Sequence, residues 1–279
     1  MTAAHRRGAP PPGPRALVAD LTDAAAVSRL LDEVRPDAVV HAAVLSRAED
    51  CETRPDEAER VNARLPGLVA RGCCERGVRL VALSTDLVFA GDRPFVGESD
   101  PTGPRNEYGR TKRAGEEAVL VACPGAAVAR VALVLGHGHG PRATSSESVA
   151  RALRAGRPQK LFTDEYRTPI DPESVAAALA RLVEGTGAGL YHLGGPERVS
   201  RYELGLRVAR AFGLRADGIV AAVQAEHRGP DQRAPDVSLD SSRARRELGW
   251  EPRPLEAAIR ESRLTSPTAG GTSAPGDTA

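Results

Sequence analysis

Apolar and polar positions along the chain form two alternating kinds of segment. Continuous apolar runs, typical of buried strands, occupy residues 16–20, 37–43, 78–85 and 126–136. Segments with apolar residues every three or four positions, typical of helices, occupy residues 22–34, about 56–76, about 107–121, 148–156, 172–185 and 200–213. This alternation predicts βαβ units, and therefore an α/β protein with a Rossmann-like parallel sheet flanked by helices.

The two ends of the chain and the change of pattern in its second half predict four segments. Residues 1–15 are rich in proline, glycine and arginine, so we expect a disordered segment without a regular element. Residues 16–145 are predicted to form the Rossmann-like domain, and residues 146–262 mainly a smaller lobe with elements that return to the sheet. Residues 263–279 have the composition of a disordered tail.

Composition narrows the class of protein. The net charge of +1 gives no basic surface for nucleic acid, and aromatic residues at 3% are too few for base stacking. No apolar run reaches the ~18 residues that span a bilayer, so we expect no membrane partner. The four cysteines show no metal-ligand spacing, so we expect free thiols in a cytoplasmic protein and no metal site.

The polar residues with the clearest chemical meaning follow the strand of residues 78–85. Ser84, Thr85 and Asp86 stand at its carboxyl end, which is where open parallel sheets bind ligands. The next helix carries Tyr108 and Lys112 four residues apart, and therefore on one face. That spacing is common on exposed helices, but a lysine ammonium beside a phenol also lowers the phenol's pKa and makes it a usable proton donor.

Several motifs stand in the order of a known superfamily. They are ADLTD at residues 19–23, HAA at 41–43, STD at 84–86, YGRTK at 108–112, FTDEYRTPID at 162–171 and YHLGG at 191–195. Over residues 17–259 the chain resembles the extended short-chain dehydrogenase/reductase superfamily, and within it the dTDP-4-dehydrorhamnose reductase branch. The resemblance implies an oxidoreductase that uses NADPH or NADH, with the second lobe binding substrate.

The resemblance implies catalytic roles for three residues. Tyr108 is expected to protonate the carbonyl oxygen, and Lys112 to lower the pKa of that phenol and bind the nicotinamide ribose. Thr85 is expected to hydrogen-bond the reacting oxygen. Donors fixed around an oxygen that becomes negative stabilise the transition state, and the hydride must come from a nicotinamide because no side chain supplies one.

The resemblance also implies a path for the cofactor. Asp20 and Leu21 match positions that contact the adenine end. His41, Ala42 and Ala43 match a strand end that lets the cofactor pass close to the backbone. These five residues are therefore predicted to bind NADPH or NADH, together with the tyrosine and lysine of the YGRTK motif.

Substrate contacts are predicted at the same edge and in the lobe. Ser84 and Asp86 flank the catalytic threonine, which is itself expected to contact substrate. Asp86 either contacts the sugar or caps the loop. Arg167 stands where it can bind a nucleotide-sugar phosphate, while an ion pair with Asp164 or Glu165 explains it equally well.

Four other residues favour structural explanations. His137 and His139 lie in a glycine-rich loop without nearby cysteine or carboxylate, which favours exposed loop residues over a metal site. Asn62 is expected to make structural hydrogen bonds. Trp250 is expected to pack in the core rather than against substrate.

The sequence departs from the family at its start. It has no GxxGxxG turn, and Gly8 and Gly13 lie among prolines, which offer no N–H donors for a pyrophosphate. The run at residues 16–20 corresponds to the family's third strand, so the Rossmann-like domain is expected to be truncated. A displaced gene start, a degenerate fragment and a true variant are alternatives, and the exposed sheet favours a homodimer or a partner chain.

The favoured function is reduction of a 4-keto-6-deoxy nucleotide sugar. Leu87 replaces the tyrosine that follows STD in rhamnose-type reductases, and the strand of residues 126–136 lacks their tryptophan. The sequence therefore does not identify the sugar. One alternative is a noncatalytic sugar-nucleotide-binding or regulatory subunit, like the relatives of this branch that regulate methionine adenosyltransferase. Another is an epimerase or dehydratase, although a dehydratase needs an acidic pair and the motif supplies only Asp86.

Overall fold

Parallel strand pairing organises the molecule. The computed structural model describes residues 2–5, 15–136, 143–227 and 232–264. Its strands are β1 (Thr2–His5), β2 (Arg15–Val18), β3 (Ala38–His41), β4 (Arg79–Thr85), β5 (Ala127–Val131), β6 (Gln159–Phe162), β7 (Tyr166–Arg167), β8 (Gly189–Leu193), β9 (Val199–Ser200) and β10 (Ile219–Ala222). Its helices are α1 (Ala24–Val34), α2 (Ala48–Thr53), α3 (Pro55–Ala58), α4 (Leu65–Glu75), α5 (Glu107–Ala122), α6 (Ser145–Arg154), α7 (Pro172–Glu184), α8 (Arg201–Phe212), α9 (Ser242–Leu248) and α10 (Leu255–Leu264).

The main sheet has four parallel strands in the order β3-β4-β5-β8. Alternate residues of β4 enter different cores, as the pleat requires: Leu80 packs with Val69 of α4 and Val119 of α5, and Val81 packs with Leu182 of α7. Helices therefore cover both faces. This arrangement confirms the predicted Rossmann-like parallel sheet.

The first two strands form a separate parallel pair, in which Thr2 lies opposite Arg15. The prediction that residues 1–15 contain no regular element is therefore wrong at Thr2–His5, because pairing with β2 outweighs poor local strand propensity. Within the described ranges, β3 pairs only with β4. Val40 of β3 is 46% exposed and Val18 of β2 is 75% exposed, so apolar sheet surface faces outward on this side.

A smaller group of elements packs beside the main sheet. Helices α6, α8 and α10 share a core that includes Val149, Val208 and Ile259, and β6 pairs in parallel with β10. Helix α7 and strand β8 return to the main sheet, where Tyr191 lies opposite Ala129. The sequence pattern missed the elements α2, β9, β10, α9 and α10. The division into domains at residues 145 and 146 stays a prediction. The predicted tail of residues 263–279 overlaps the last two residues of α10, and its remainder lies outside the described residues.

None of the helices in the described part of the chain combines the length and the apolar character that a bilayer crossing needs. The longest, α5, has 16 residues and carries the YGRTK motif. It begins after Asn106, whose side chain accepts a hydrogen bond from the backbone of Gly109 at 2.8 Å. The motif helix therefore begins at a defined residue next to the site.

The glycine after Tyr108 is required by close packing. A Cβ at Gly109 would lie 2.2 Å from the carbonyl oxygen of Leu87, and a Cβ at Gly115 would lie 2.2 Å from that of Asn62. Asn62 belongs to a π-helical turn, Glu59–Arg64, between α3 and α4. Only glycine at these two positions lets α5 approach both the loop after β4 and this turn.

We expect Gly115→Ala to lower the free energy of unfolding by about 1–3 kcal/mol, because the added methyl group forces α5 away from the π-helical turn. Urea unfolding followed by circular dichroism measures the change. Gly125→Ala is the matched control, since a Cβ at Gly125 meets no atom within 4 Å. Equal unfolding midpoints for the two variants would contradict this packing.

Candidate active site

A cavity of about 440 Å³ opens at the carboxyl ends of the main strands, between α5 and the smaller lobe. The predicted site residues that line it are Ala42, Ser84, Thr85, Asp86, Tyr108, Lys112 and Arg167. Those that do not line it are Asp20, Leu21, His41 and Ala43. The structure thus brings together the predicted catalytic and substrate residues and leaves the predicted adenine contacts outside this cavity.

The end of β4 supplies a hydroxyl and a carboxylate to the cavity. The Thr85 hydroxyl accepts a hydrogen bond from the backbone of Leu87 at 3.2 Å and donates one to Asp86 Oδ1 at 3.0 Å. Asp86 Oδ2 lies 3.8 Å from Arg167 Nε. Burial raises the pKa of Asp86, and the Arg167 charge opposes that rise.

Lys112 lies deep in the wall formed by α5 and is 6% exposed. Its ammonium donates a hydrogen bond to the carbonyl oxygen of Leu83 at 2.7 Å. Burial lowers the pKa of Lys112 to about 8, and the nearby Glu116 carboxylate opposes the change. At pH 7 the ammonium is therefore still the main form, although the buried environment weakens its hold on the proton.

Tyr108 differs from the expectation in one respect. Burial raises the pKa of its phenol, the Asp86 carboxylate adds to the rise, and Thr85 opposes it through a hydrogen bond. The expected lowering by Lys112 is not observed, and the Lys112 ammonium donates instead to the Leu83 carbonyl. The phenol is consequently held in its protonated form.

Three arginines converge on Glu165, which is 1% exposed. Arg233 binds both of its carboxylate oxygens at 2.5 and 2.8 Å, Arg167 lies at 3.2 Å and Arg201 at 3.9 Å. Although burial favours the neutral acid, the arginines lower the pKa of Glu165. The ion pair between Arg167 and Glu165, one of the two alternatives for this arginine, is present.

Sequence reasoning missed two of these arginines. Arg201 and Arg233 both line the cavity, yet neither stands in a motif, and both are distant in sequence from Arg167. The capping residue Ser200, which accepts a hydrogen bond from the backbone of Glu203, places Arg201 in the first turn of α8. The only sequence signal was the position of Arg201 directly after a predicted helix cap.

Asn62 and Trp250 have the structural roles that were predicted for them. Asn62 binds the backbone N–H and carbonyl of Leu45 at 2.9 and 3.0 Å, which fixes the loop after β3. Trp250 is buried and donates to the carbonyl of Ser174 at 2.8 Å. His137 and His139 lie outside the described residues.

The nicotinamide half of a dinucleotide fits the residues at this edge. Lys112, Tyr108 and Thr85 offer three donor groups beside Ala42, whose small side chain leaves room at the end of β3. His41, also at that end, is 4% exposed, and its Nε2 atom makes no hydrogen bond to any described residue. Burial and the Lys112 charge lower the pKa of His41 to about 4, so the neutral ring offers a polar atom that a ribose hydroxyl can satisfy.

A parallel α/β sheet with a threonine, a tyrosine and a lysine at its carboxyl edge defines a nucleotide-binding protein of the extended short-chain dehydrogenase/reductase class. Comparison with known families identifies the particular group. Residues 2–265 match the family described as the RmlD substrate binding domain, and the chain belongs to this family. The match confirms the branch that the motifs indicated.

Individual relatives agree with this family. The probable low-salt glycan biosynthesis reductase Agl14 of Haloferax volcanii is 33% identical over 244 residues, which cover 85% of this chain and 80% of that protein. The dTDP-4-dehydrorhamnose reductase of Mycolicibacterium smegmatis is 33% identical over 232 residues, which cover 81% and 68%. Methionine adenosyltransferase 2 subunit beta of Mus musculus is 29% identical over 250 residues, which cover 87% and 74%.

A solved structure confirms the fold. The dTDP-4-dehydrorhamnose reductase of Bacillus anthracis str. Ames, in complex with NADP, superposes with a TM-score of 0.84 at 21% identity. The match covers 90% of this chain and 89% of that one. The described sheet, helices and lobe are therefore arranged as in a known nucleotide-binding fold.

We expect Glu165→Gln to lower the free energy of unfolding by about 3–5 kcal/mol, because three buried or half-buried arginines lose their shared counter-ion. Glu117→Gln is the control, since Glu117 is an exposed carboxylate with one surface ion pair to Arg113. Removing that pair should cost less than about 1 kcal/mol. Urea midpoints of the two variants measure the difference, and a Glu165→Gln midpoint equal to the control would refute the role of Glu165.

Proposed function

We propose that the chain is a cytoplasmic NAD(P)H-dependent reductase of a 4-keto-6-deoxy nucleotide sugar. The observation that carries the proposal is the meeting of Thr85, Tyr108 and Lys112 with three arginines in one cavity. Hydroxyl and ammonium donors suit an oxygen that gains negative charge, and guanidinium groups suit phosphates. The two relatives named as reductases, each 33% identical, support the same chemistry.

The proton for the reaction comes from Tyr108. Because burial and Asp86 raise the pKa of the phenol, it keeps its proton until the substrate oxygen becomes more basic than the phenolate. Thr85 donates a second hydrogen bond to that oxygen once its hydroxyl turns from Asp86. The site therefore keeps its proton donor protonated, as reduction of a carbonyl requires.

Lys112 holds the nicotinamide ribose and adds positive charge behind the phenol. When bound, NADPH or NADH supplies the hydride. The ammonium is fixed by the Leu83 carbonyl, so it does not reorganise as charge develops on the substrate. Ala42 lines the approach from β3, where its small side chain suits a ribose.

The arginine cluster is the proposed site for the substrate's phosphates. Three guanidinium groups, from Arg167, Arg201 and Arg233, face the two carboxylates of Glu165 and Asp86, so the cluster carries excess positive charge. Burial lowers the pKa of Arg201 to about 10, which leaves it charged at neutral pH. A diphosphate bound here would extend the sugar toward Thr85.

The wall around the reacting position is apolar. Leu87, Val131, Val134 and Val175 line the cavity near the catalytic residues. Leu87 stands where the rhamnose-type pattern has a tyrosine, so the sugar meets aliphatic groups rather than a hydroxyl. Such a wall suits the methyl group of a 6-deoxy sugar.

We expect the wild-type protein to oxidise NADPH or NADH in the presence of a dTDP- or UDP-linked 4-keto-6-deoxy hexose, and Tyr108→Phe to lower kcat by at least about 100-fold. Absorbance at the reduced-cofactor band gives the rate. Tyr202→Phe is the control, because Tyr202 lies on α8 and does not line the cavity. Equal turnover by wild type and Tyr108→Phe would refute the assigned proton donor.

A second candidate is a noncatalytic sugar-nucleotide-binding subunit. It is supported by the lack of a GxxGxxG turn in the sequence and by the 29% identity to an adenosyltransferase subunit. A partner chain or second copy covering β3 beside Val40 fits both candidates. Fluorescence titration with NADPH and NADH separates them: micromolar binding supports the reductase, and sugar-nucleotide binding without cofactor binding supports the subunit.

A further inference from the structure

Beneath the catalytic residues lies a second buried charge cluster, which the proposed chemistry does not use. Glu116 is 2% exposed and Arg130 is 1% exposed. Arg130 binds the Glu116 carboxylate through two parallel hydrogen bonds, Nε to Oε1 at 2.9 Å and Nη2 to Oε2 at 2.8 Å. A buried pair of this kind is costly to desolvate and is weak evidence for stability, so its position calls for another explanation.

The same carboxylate also binds the catalytic strand. The Ser84 hydroxyl donates to Glu116 Oε1 at 2.6 Å. Ser84 stands between Leu83, whose carbonyl accepts from Lys112, and the catalytic Thr85. Two adjacent residues of β4 are therefore bound by two side chains one helical turn apart on α5.

The spacing of residues along α5 links the Glu116 contact to Tyr108, the proposed proton donor. Tyr108, Lys112 and Glu116 stand four residues apart and share one face of α5. Any slip of α5 along β4 would break the bonds of Lys112 and Glu116 and move Tyr108 away from Thr85. The Glu116 contact therefore fixes the register of the catalytic tyrosine against the catalytic threonine.

Two further side chains complete the surroundings of this ion pair. Arg113 Nε on α5 lies 4.0 Å from its Oε2 atom. Behind Arg130, the His192 ring accepts from Nη1 at 3.3 Å through Nε2 and donates through Nδ1 to the Val96 carbonyl at 3.1 Å. Burial and the Arg130 charge lower the pKa of His192 to about 3, so the ring is neutral and the two arginines supply the positive charge.

We propose that Glu116 is a positioning residue of the reductase: held by Arg130, it fixes α5 on the end of β4 through Ser84 and sets the electrostatic surroundings of Lys112. This inference rests on the proposed function. Glu116 does not line the cavity, so it acts through the residues it holds. The Glu116 carboxylate on α5 supports the Lys112 ammonium, and His41 on β3 lies close enough for the Lys112 charge to lower the pKa of the imidazole.

The chain offers a direct test, because Lys112 and Lys160 are its only two lysines. Labelling lysine with ¹³C at Cε gives two signals in NMR, and Lys112→Arg assigns them. We expect Glu116→Gln to lower the pKa of Lys112 further below its value of about 8, because the carboxylate that supports the ammonium is lost. The signal of the exposed Lys160 serves as the internal reference, and Glu117→Gln on the exposed face of α5 should leave the Lys112 signal unchanged.

Kinetics supply the second readout. We expect Glu116→Gln to lower kcat by about 10- to 100-fold while KM for the sugar nucleotide changes less than about threefold, as misplacement of the proton donor predicts. If loss of the charge leaves Arg130 unpaired and unfolds the protein, Glu116→Gln/Arg130→Gln removes both charges together. The double variant should again lower kcat while KM changes little, because the charged acceptor that holds the Ser84 hydroxyl is lost.

The outcomes are separable. An unchanged Lys112 titration in a folded Glu116 variant, or an unchanged kcat, would overturn the positioning role. A wild-type protein that reduces no sugar nucleotide would refute the proposed function, while the titration would still report whether Glu116 controls Lys112. A lowered Lys112 pKa together with a fall in kcat at nearly constant KM would establish the role.

Discussion

Helix α5 is held on the end of β4 at two successive turns, and the geometry of the site depends on that contact. Lys112 binds the Leu83 carbonyl at 2.7 Å, and Glu116 binds the Ser84 hydroxyl at 2.6 Å. Gly109 and Gly115 allow the approach, since any larger residue would meet a backbone oxygen at 2.2 Å. The position of Tyr108, the proposed proton donor, thus follows from side-chain size as much as from hydrogen bonding.

Two buried charge clusters surround the catalytic residues, and each has a distinct task. Glu165 with its three arginines lies on the lobe side, where excess positive charge suits phosphates. Glu116 of α5 pairs with Arg130 of β5, so the two charges balance, and neither residue lines the cavity. Buried ion pairs stabilise little in themselves, so both clusters are best understood through what they hold in place.

The sequence predicted those parts of the fold and site that depend on local patterns. The pattern placed Thr85 at a strand end and Tyr108 and Lys112 on one face of a helix, and the structure confirms both placements, while their catalytic roles came from the family resemblance. Arg201 and Arg233 meet Glu165 only through the tertiary fold, so no local pattern indicates them. The sequence also could not predict that the pKa of Tyr108 is raised. Burial and the Asp86 carboxylate raise it, and the Lys112 ammonium donates its hydrogen bond to the backbone of Leu83.

The start of the chain shows the same limit. Poor strand formers at Thr2–His5 pair with β2 all the same, because pairing depends on the partner as well as on propensity. Helix α2, short and polar, carries no apolar periodicity that a pattern could detect. Where a contact is made across the fold, residue type and spacing along the chain do not specify it.

The most direct measurement is transfer of deuterium from reduced [4-²H]nicotinamide cofactor to the sugar carbon of a 4-keto-6-deoxy nucleotide sugar, followed by mass spectrometry and NMR. The account predicts one deuterium at C4 of the alcohol product, and none when Thr85, Tyr108 and Lys112 are replaced together. Tight sugar-nucleotide binding with no deuterium in the sugar would contradict it and would favour the noncatalytic subunit.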